Sequence, residues 1–331
     1  MTAKGISAGV WIFGSCSDRY VAKGYKPYID FYERINRISE IKGIKAVEIT
    51  FPGDLNKSNI DEVKTFLKEK NLDISCIGVE LVCDAEWESG SFSSWDPDRR
   101  EKSKRLTKEA MNIAKELGVS VVNLWLGQDG FDYVFQSNYS DSWHHMVEGI
   151  RECADHCPEV KLGIEYKNSE PRMNCIINSG GKALALAQAT GRANVGITLD
   201  IGHAFNAGEN PAEIASVLLT ENRLFHLHLN DNYRISDDDM PVGSVHLLQY
   251  LELFYWLDKL GYDGWYSLDL YPYRDDPSAA CRASITFIER AIEFVREKII
   301  KDDFTQDRSL PPGETLNELY LRLLGREVVK G

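Results

Sequence analysis

Apolar runs and amphipathic stretches alternate along most of the chain. Short apolar runs, typical of strands buried on both faces, are each followed by a longer stretch with helical spacing of apolar residues. In 27–40, for example, Tyr28, Phe31, Ile35 and Ile38 fall on one helical face. The predicted strands are 5–13, 44–50, 72–81, 119–126, the start of 160–171, 195–200, 224–229 and 265–270. The predicted helices are 27–40, 60–70, 97–117, 140–156, 181–190, 211–220, 245–260 and 277–298.

Eight strand-then-helix units in succession are the pattern of an α/β fold, a (β/α)8 TIM barrel. A doubly wound open sheet is the alternative, but the G-x-G-x-x-G fingerprint that would favour it does not follow the first strand. We therefore expect a single barrel over residues 1–300. Residues 301–331 begin polar and proline-rich and end in an apolar helical pattern, which predicts a helical extension that packs on the barrel or contacts another copy.

Composition narrows the class of protein. A chain of 331 residues could be one large domain or two ordinary ones, and 43% hydrophobic with 27% charged residues is typical of a globular protein. A net charge of −13 argues against nucleic-acid partners, whose binding depends on Lys and Arg. No apolar window approaches the roughly 20 residues that span a bilayer, so we expect no membrane partner and a cytoplasmic location. Seven cysteines without a C-x-x-C pair predict free thiols in a reducing compartment.

The residues that end the last four predicted strands point to a metal site. In a barrel, chemistry lies at the carboxyl ends of the strands. Strands 5 to 8 end in Glu165, Asp200, His228 and Asp269, an oxygen-rich set suited to Mn²⁺ or Mg²⁺, with Zn²⁺ or Co²⁺ possible. Any one of these residues alone is better explained as a strand-end cap or ion pair. Four in register favour a metal centre, and His226, one pair inward from His228, is expected to be a packed barrel residue.

A second set of ligand types lies beside the first. His203 follows Asp200 at the spacing D-x-x-H, and the run 237–239 is Asp-Asp-Asp. An acidic triplet is usually a solvated loop, but this one comes just after a ligand-bearing strand. His203, Asp237 and Asp239 could therefore hold a second ion, so we expect one or two ions per chain.

Lys167 and several aromatic residues complete the predicted site. Lys167 returns to the same strand face as Glu165, where its ammonium could stabilise a developing oxyanion. A salt bridge to Glu170 or Asp200 is the alternative role and is compatible with the first. Trp11, Phe51 and Trp125 lie near strand ends. Aromatics there are usually core, but they would also form the apolar wall of a sugar pocket.

The segment 165–171, EYKNSEP, resembles the E-x-K-x-x-E-P motif of the xylose isomerase superfamily. Further matches are Asp200-x-x-His203, the segment HLHLND at 226–231, the acidic run followed by Gly243-Ser244, and Ser267-Leu-Asp269. The similarity spans about residues 6–298 with the motifs in family order. Among the members, it is most similar to the bacterial L-rhamnose isomerases that also act on other aldoses.

This resemblance implies a Mn²⁺-type aldose–ketose isomerase that moves hydrogen between C1 and C2 of a free monosaccharide. By position, Glu165, Asp200, His228 and Asp269 would hold the first ion, and His203, Asp237 and Asp239 the second. The implied catalytic residues are Lys167, Glu165, Asp269 and His203. The implied substrate-binding residues are Trp11, Phe51, Trp125, Glu170 and Arg234.

Four alternatives follow from the same residues. Arg234 stands six residues after His228, as a substrate-contacting arginine does in ketose 3-epimerases, although those enzymes carry Glu where this chain has Asp269. A subunit that cleaves C-glycosides is another member of the superfamily. An endonuclease acting at abasic sites would need more histidines and a basic face. A non-catalytic sugar-binding barrel would lack a ligand, and none is missing. For the sugar-isomerase interpretation we expect a homo-oligomer with a small-molecule sugar partner and no nucleic-acid partner.

Overall fold

A closed barrel of eight parallel strands forms the centre of the computed structural model, which describes residues 3–170, 173–301, 303 and 309–325. Each strand is hydrogen-bonded to the next along the chain, and the first closes onto the last. The strands are β1 (Gly5–Gly9), β2 (Ile44–Phe51), β3 (Asp73–Val79), β4 (Val121–Trp125), β5 (Lys161–Glu165), β6 (Val195–Asp200), β7 (Leu224–Leu229) and β8 (Trp265–Leu268). The predicted single (β/α)8 barrel is confirmed.

Helices follow the strands and pack around them. They are α1 (Phe31–Ser39), α2 (Ile60–Glu69), α3 (Pro97–Leu117), α4 (Tyr139–His156), α5 (Gly180–Thr190), α6 (Ile201–Asn206), α7 (Pro211–Thr220), α8 (Leu247–Lys259), α9 (Pro277–Phe294) and α10 (Pro312–Leu324). Several begin at a side chain that accepts a backbone N–H of the first turn, as Asp96 does for α3 and Asp276 for α9. In the described part of the chain no helix is both long and apolar enough to cross a membrane.

The structure differs from the predicted elements at several ends. β1 stops at Gly9, and the last four residues predicted as strand, Val10–Phe13, form a 3-10 helix. α1 begins at Phe31 rather than at residue 27 because the Asp30 side chain caps it. α9 ends at Phe294 and continues as a π-helix over Val295–Ile300. A three-stranded sheet of short strands, Gly130–Phe131, Ser169–Glu170 and Met173–Cys175, was not predicted.

Polar side chains occupy much of the barrel interior, where a typical barrel is filled by branched apolar residues. The buried ones on the strands include Ser7, Glu48, Asn123, Thr198, His226 and Ser267. Burying polar groups is costly unless they are hydrogen-bonded, so a polar interior indicates that these residues support a functional site at one end of the barrel. The predicted free thiols are confirmed: none of the seven cysteines is in a disulfide, and only Cys83 is exposed.

Candidate metal centre

Four side chains from four successive strands meet at the carboxyl end of the barrel. Glu165 ends β5, Asp200 ends β6, His228 is the penultimate residue of β7, and Asp269 directly follows β8. Strand pairing places these residues at a similar height along the barrel axis, since His228 is in register with both Asp200 and Ser267. One ligand atom from each of the four lies within 4.8 Å of the others. The structure thus brings together the four residues that the sequence selects as first-ion ligands.

His228 lies at the centre of this cluster. Its Nδ1 is 3.2 Å from Asp269 Oδ2, 3.4 Å from Glu165 Oε1 and 3.9 Å from Asp200 Oδ2. The imidazole, Glu165 and Asp200 are buried, and Asp269 is half-buried. Among the described residues, Nδ1 makes no hydrogen bond although it is buried.

Neighbouring N–H groups orient each carboxylate of the cluster. Asn123 Nδ2 donates to Glu165 Oε2 at 2.6 Å, and Trp11 Nε1 donates to Asp269 Oδ1 at 2.6 Å. Asn230 Nδ2 donates to Asp200 Oδ2 at 2.9 Å, while Asp200 Oδ1 caps α6. Each carboxylate is therefore held in one direction by a donor outside the cluster, as ligating carboxylates usually are.

The electrostatics of the cluster favour a cation. Burial raises the pKa of Asp200 to about 7, with the charge of Asp269 adding to the effect and that of His203 opposing it. Burial alone would raise the pKa of Glu165 too, but the His228 and His203 imidazoles outweigh it and lower that pKa. Burial would lower the pKa of His228, yet the carboxylates around it raise the pKa well above its usual value. Carboxylates crowded in this way repel one another, and a positive charge between them relieves the repulsion.

These residues fit a divalent cation. They supply three carboxylates and one imidazole nitrogen that has no other partner among the described residues. Oxygen-rich sets with one imidazole suit Mn²⁺ and, less selectively, Mg²⁺, Co²⁺ or Zn²⁺. Glu165, Asp200, His228 and Asp269 are the residues that would hold the ion.

The second predicted ligand set is organised differently. Asp237 Oδ2 is 2.8 Å from Lys167 Nζ and 3.2 Å from His203 Nε2, so it forms an ion pair with each. Burial would raise the pKa of Asp237, but these two cations outweigh it and hold the pKa below its usual range. Burial raises the pKa of Asp239 well above its usual value, and the charge of Asp237 adds to that rise. Within the described residues this set does not converge as tightly as the first, and a second ion stays a prediction.

His203 joins the two groups. Its Nδ1 lies 3.4 Å from Glu165 Oε1 and 3.8 Å from Asp200 Oδ1, on the side opposite its contact with Asp237. Burial would lower the pKa of His203, but Asp200 and Asp237 raise it to about 9. The imidazole therefore lies between a carboxylate cluster and the Lys167–Asp237 pair, where it can hold a proton.

Lys167 and two tryptophans lie at this centre. The Lys167 ammonium is 5.1 Å from the centre of the Trp125 ring, and only 3% of the side chain is exposed. Trp125 is paired in register with Glu165, and Trp11 contacts His228 edge to face at a ring distance of 6.3 Å. Phe51 ends β2 and is buried. Its part in substrate binding stays a prediction.

Arg234 lies on the loop after β7 and is held by a buried pair. Its Nε is 3.1 Å from His246 Nε2, and His246 Nδ1 is 2.7 Å from Asp231 Oδ1. The guanidinium also lies over the Phe205 ring at 5.1 Å. The Glu170 side chain and Pro171, the end of the E-x-K-x-x-E-P motif, lie outside the described residues.

Sequence reasoning missed the residues that orient the ligands. Asn123 and Glu48 each interrupt an apolar strand, VVNLW and IKAVEITF, and such an interruption is the signal that could have found them. The Asp231–His246 pair is separated by fifteen positions and carries no local pattern. His226 was expected to be a packed barrel residue, and it is buried with its Nε2 2.9 Å from Glu48 Oε2.

Comparisons with known proteins agree with this architecture. A family model described as xylose isomerase-like TIM barrel matches residues 35–296. The xylose isomerase of Thermus thermophilus is 26% identical over 254 residues, which are 72% of this chain and 65% of that relative. The match therefore spans just under two thirds of the relative's length.

Solved structures share the fold at low identity. A D-tagatose 3-epimerase-like protein superposes with a TM-score of 0.67 at 19% identity, covering 89% of this chain and 99% of that one. An L-ribulose 3-epimerase superposes with a TM-score of 0.69 at 16% identity, covering 93% of this chain and 99% of that one. Identities this low show a common barrel and leave the reaction to be argued from the site.

Proposed function

The chain belongs to the family of xylose isomerase-like TIM barrels, and we propose from its site that it is a divalent-metal-dependent aldose–ketose isomerase. The substrate class is a free monosaccharide, with hydrogen transferred between C1 and C2. The ion would be held by Glu165, Asp200, His228 and Asp269, with Mn²⁺ as the preferred metal.

One observation carries the proposal: a buried ammonium stands beside a complete ligand cluster. Lys167 Nζ is fixed by Asp237, which contacts His203, which in turn contacts Glu165. Lys167 neutralises Asp237, whereas the carboxylates of the four-residue cluster are oriented by Asn123, Trp11 and Asn230. The position of the buried ammonium beside this cluster supports a role in binding an oxygen atom that becomes negative during the reaction.

A bound divalent ion supplies Lewis acidity, which polarises oxygen atoms of the open-chain sugar. The residues of the chain supply the rest. Lys167 Nζ donates a hydrogen bond to the sugar oxygen next to the reacting carbons. The proton lost by a sugar hydroxyl is taken up by the His203–Asp237 pair, whose Nε2 and Oδ2 lie 3.2 Å apart, and is returned when the product hydroxyl forms. Trp11 and Trp125 form an apolar wall that keeps water from the reacting carbons.

The bonding of Glu165 and Asp269 favours isomerisation over epimerisation. Inverting one carbon needs a base on one side of it and an acid on the other, each free to exchange a proton with that carbon. Here one oxygen of Glu165 accepts from Asn123 and one of Asp269 accepts from Trp11, both at 2.6 Å. The remaining oxygens face His228, in the ligand cluster. Carboxylates committed on both oxygens serve better as ligands than as bases.

A ketose 3-epimerase is the second candidate, and Arg234 is the observation that favours it. The arginine is fixed by the Asp231–His246 pair on the loop after β7, the strand that carries His228. Such a residue can anchor the far end of a ketose and present C3 to the cluster. The solved 3-epimerases also share this fold.

Product analysis separates the two candidates. The Mn²⁺-loaded protein is incubated in deuterated water with a panel of aldoses and ketoses, and the products are followed by NMR. We expect aldose–ketose pairs that interconvert at C1 and C2. Products that differ from the substrate only in configuration at C3 would overturn the isomerase proposal and support the epimerase. A parallel incubation of Glu165→Gln, which lacks one ligand charge, identifies contaminating activity.

A further inference from the structure

A buried carboxylate below the metal cluster has no part in the proposed chemistry. Glu48 lies in the middle of β2 and is fully buried. Its Oε2 is 2.9 Å from His226 Nε2 and 3.0 Å from His228 Nε2, and it accepts a hydrogen bond from Ser267 Oγ at 3.2 Å. One oxygen atom of β2 thus accepts from three donors on β7 and β8.

We propose that Glu48 is a positioning residue that fixes His228 in the tautomer with its proton on Nε2, so that the Nδ1 lone pair faces the ligand cluster. The proposal rests on the metal-binding part of the proposed function. In this proposal Glu48 contacts neither the substrate nor the ion, and it acts only through the His228 imidazole that would bind the ion.

The hydrogen-bond inventory of the side chains supports this assignment. A neutral imidazole has one N–H, and the partner of one nitrogen decides which nitrogen carries it. An ionised carboxylate can only accept, so the His228 nitrogen that faces Glu48 must be the donor. The other nitrogen, Nδ1, has no hydrogen-bond partner among the described residues and points at Glu165 and Asp269. Outer carboxylates that fix metal-binding histidines in this way also raise the basicity of the ligand.

His226 and Ser267 hold the carboxylate in place. His226 crosses His228 nearly at a right angle, with ring centres 5.2 Å apart, so both Nε2 atoms reach the same oxygen of Glu48. Cys76, in register with Glu48, has its Sγ within 4.8 Å of the nearest Glu48 and His226 ligand atoms. The three donors and the nearby thiol restrict the position of the Glu48 carboxylate.

A purely structural role is the rival explanation, and it makes a different prediction. Buried ion pairs are weak contributors to stability, and apolar residues of similar size often replace them without loss. If Glu48 only fills the interior, replacing it changes the stability of the protein and leaves metal affinity unchanged. If it positions His228, metal affinity falls even in a well-folded variant.

The first test measures Mn²⁺ affinity by calorimetry on the purified full-length chain without substrate. Glu48→Gln keeps the shape of the side chain and removes its charge, and we expect affinity to fall about 10- to 100-fold, as is typical for outer partners of a metal ligand. Asp129→Asn is the matched control. Asp129 is also a fully buried carboxylate, but it accepts from Ser91 and Ser93, away from the cluster. It should bind Mn²⁺ like the wild type even if it unfolds at a lower temperature.

The second test uses only the wild-type protein, so it can be carried out even if Glu48→Gln fails to fold. In the Zn²⁺-loaded wild type labelled with ¹⁵N-histidine, NMR distinguishes the protonated nitrogen of His228 from the metal-bound one. We expect the proton on Nε2 and the metal on Nδ1. A proton on Nδ1, or equal affinity in wild type and Glu48→Gln, would overturn the inference. A wild type that binds no divalent ion would instead overturn the metal-binding part of the proposed function.

Discussion

At the scale of single residues, a substitution of Lys167 tests the chemical step separately from metal binding. Its ammonium pairs with Asp237 and lies over the Trp125 ring, and Lys167 is not one of the four residues assigned to the ion. It can therefore be removed without removing a ligand. Glu165, two residues away on the chain, belongs to the proposed ligand set, and its two oxygens face Asn123 and His228.

For Lys167→Met we expect Mn²⁺ binding close to that of the wild type and a kcat lower by about 10²- to 10³-fold. This is the loss typical when one donor to a developing oxyanion is removed. Binding is checked by calorimetry, and kcat by the rate of ketose formation from the best aldose of the panel. Lys108→Met, which removes a lysine paired with Glu152 on the outer helices, is the control for loss of a charge and should keep full activity.

Glu165→Gln should show the converse behaviour. Removing a ligand charge lowers Mn²⁺ affinity by more than the roughly 10- to 100-fold that loss of an outer partner costs, and activity is lost with the metal. Metal content after dialysis and activity are measured on the same sample. Full metal content in Glu165→Gln, or full activity in Lys167→Met, would contradict the assigned site.

The pKa of Asp200 predicts how metal affinity depends on pH. The pKa is raised to about 7 by burial, with Asp269 adding to the effect, and the ion binds the ionised carboxylate. Below pH 7 a proton competes with the ion at Asp200, and His228, whose pKa is also raised, adds a second competing proton. Mn²⁺ affinity should therefore fall by roughly tenfold or more per pH unit between pH 7 and pH 5.

Calorimetry in buffers of different ionisation enthalpy measures the protons released on Mn²⁺ binding. We expect at least one proton per ion at pH 6 and fewer at pH 8. An affinity that does not change between pH 5.5 and pH 8 would show that the carboxylates of the cluster are not the ligands.

At the scale of elements, the switch from β1 to a 3-10 helix positions Trp11. If Val10–Phe13 continued the strand, Trp11 would lie on the same strand face as Ser7 and Gly9. The tight helical turn instead places its Nε1 2.6 Å from Asp269 Oδ1. Because Gly9 has no side chain, its backbone can lie close to the Trp11 ring. A Cβ added at Gly9 would lie 2.3 Å from the Trp11 ring.

Gly9→Ala is therefore expected to displace the Trp11 ring and free Asp269 Oδ1. Overpacking of this kind typically costs about 1–3 kcal/mol, and here Mn²⁺ affinity should fall together with the melting temperature. Thermal unfolding and calorimetry on the same preparation check both effects. Gly181→Ala, on α5, is the matched control because an added Cβ meets nothing within 4 Å. If Gly9→Ala binds Mn²⁺ like the control, Trp11 does not orient Asp269.

At the scale of the whole molecule, the barrel is closed without the C-terminal extension. β1 pairs with β8, so no strand edge is left for α10 to cover. α10 has no fully buried residue, although Leu319 and Leu323 pack against the core cluster. Leu324, at its end, is 80% exposed.

We expect a chain that ends at residue 309 to fold and to bind Mn²⁺ with unchanged affinity, because every ligand and its orienting partner comes from the barrel. Calorimetry on the shortened chain checks this. Sedimentation of the two chains tests the separate prediction of a homo-oligomer: a smaller assembly after shortening would assign the extension to contacts between copies. A loss of metal affinity on shortening would instead mean that the extension supports the site.

Local sequence was sufficient for the order of the eight barrel strands and for the four residues, at or just after strand ends, that the structure brings together. Each strand is a contiguous apolar run, and the barrel rule places the residue at its carboxyl end on the same side of the fold. Glu165, Asp200, His228 and Asp269 could therefore be selected before their distances were known. The α6 helix was missed because six residues are too few for a periodic pattern, although its cap, Asp200, was identified for another reason.

Tertiary structure alone decided which side chains hydrogen-bond to those four residues. Trp11 reaches Asp269 across 258 positions, Glu48 reaches His228 across 180, and Asn123 reaches Glu165 across 42. No periodicity links residues so far apart. Barrel closure brings them into contact, because it sets β1 beside β8 and turns the middle of β2 towards β7. The sequence by itself determined the strands and the residue types at their ends, and the closed barrel decided how each of those residues is oriented.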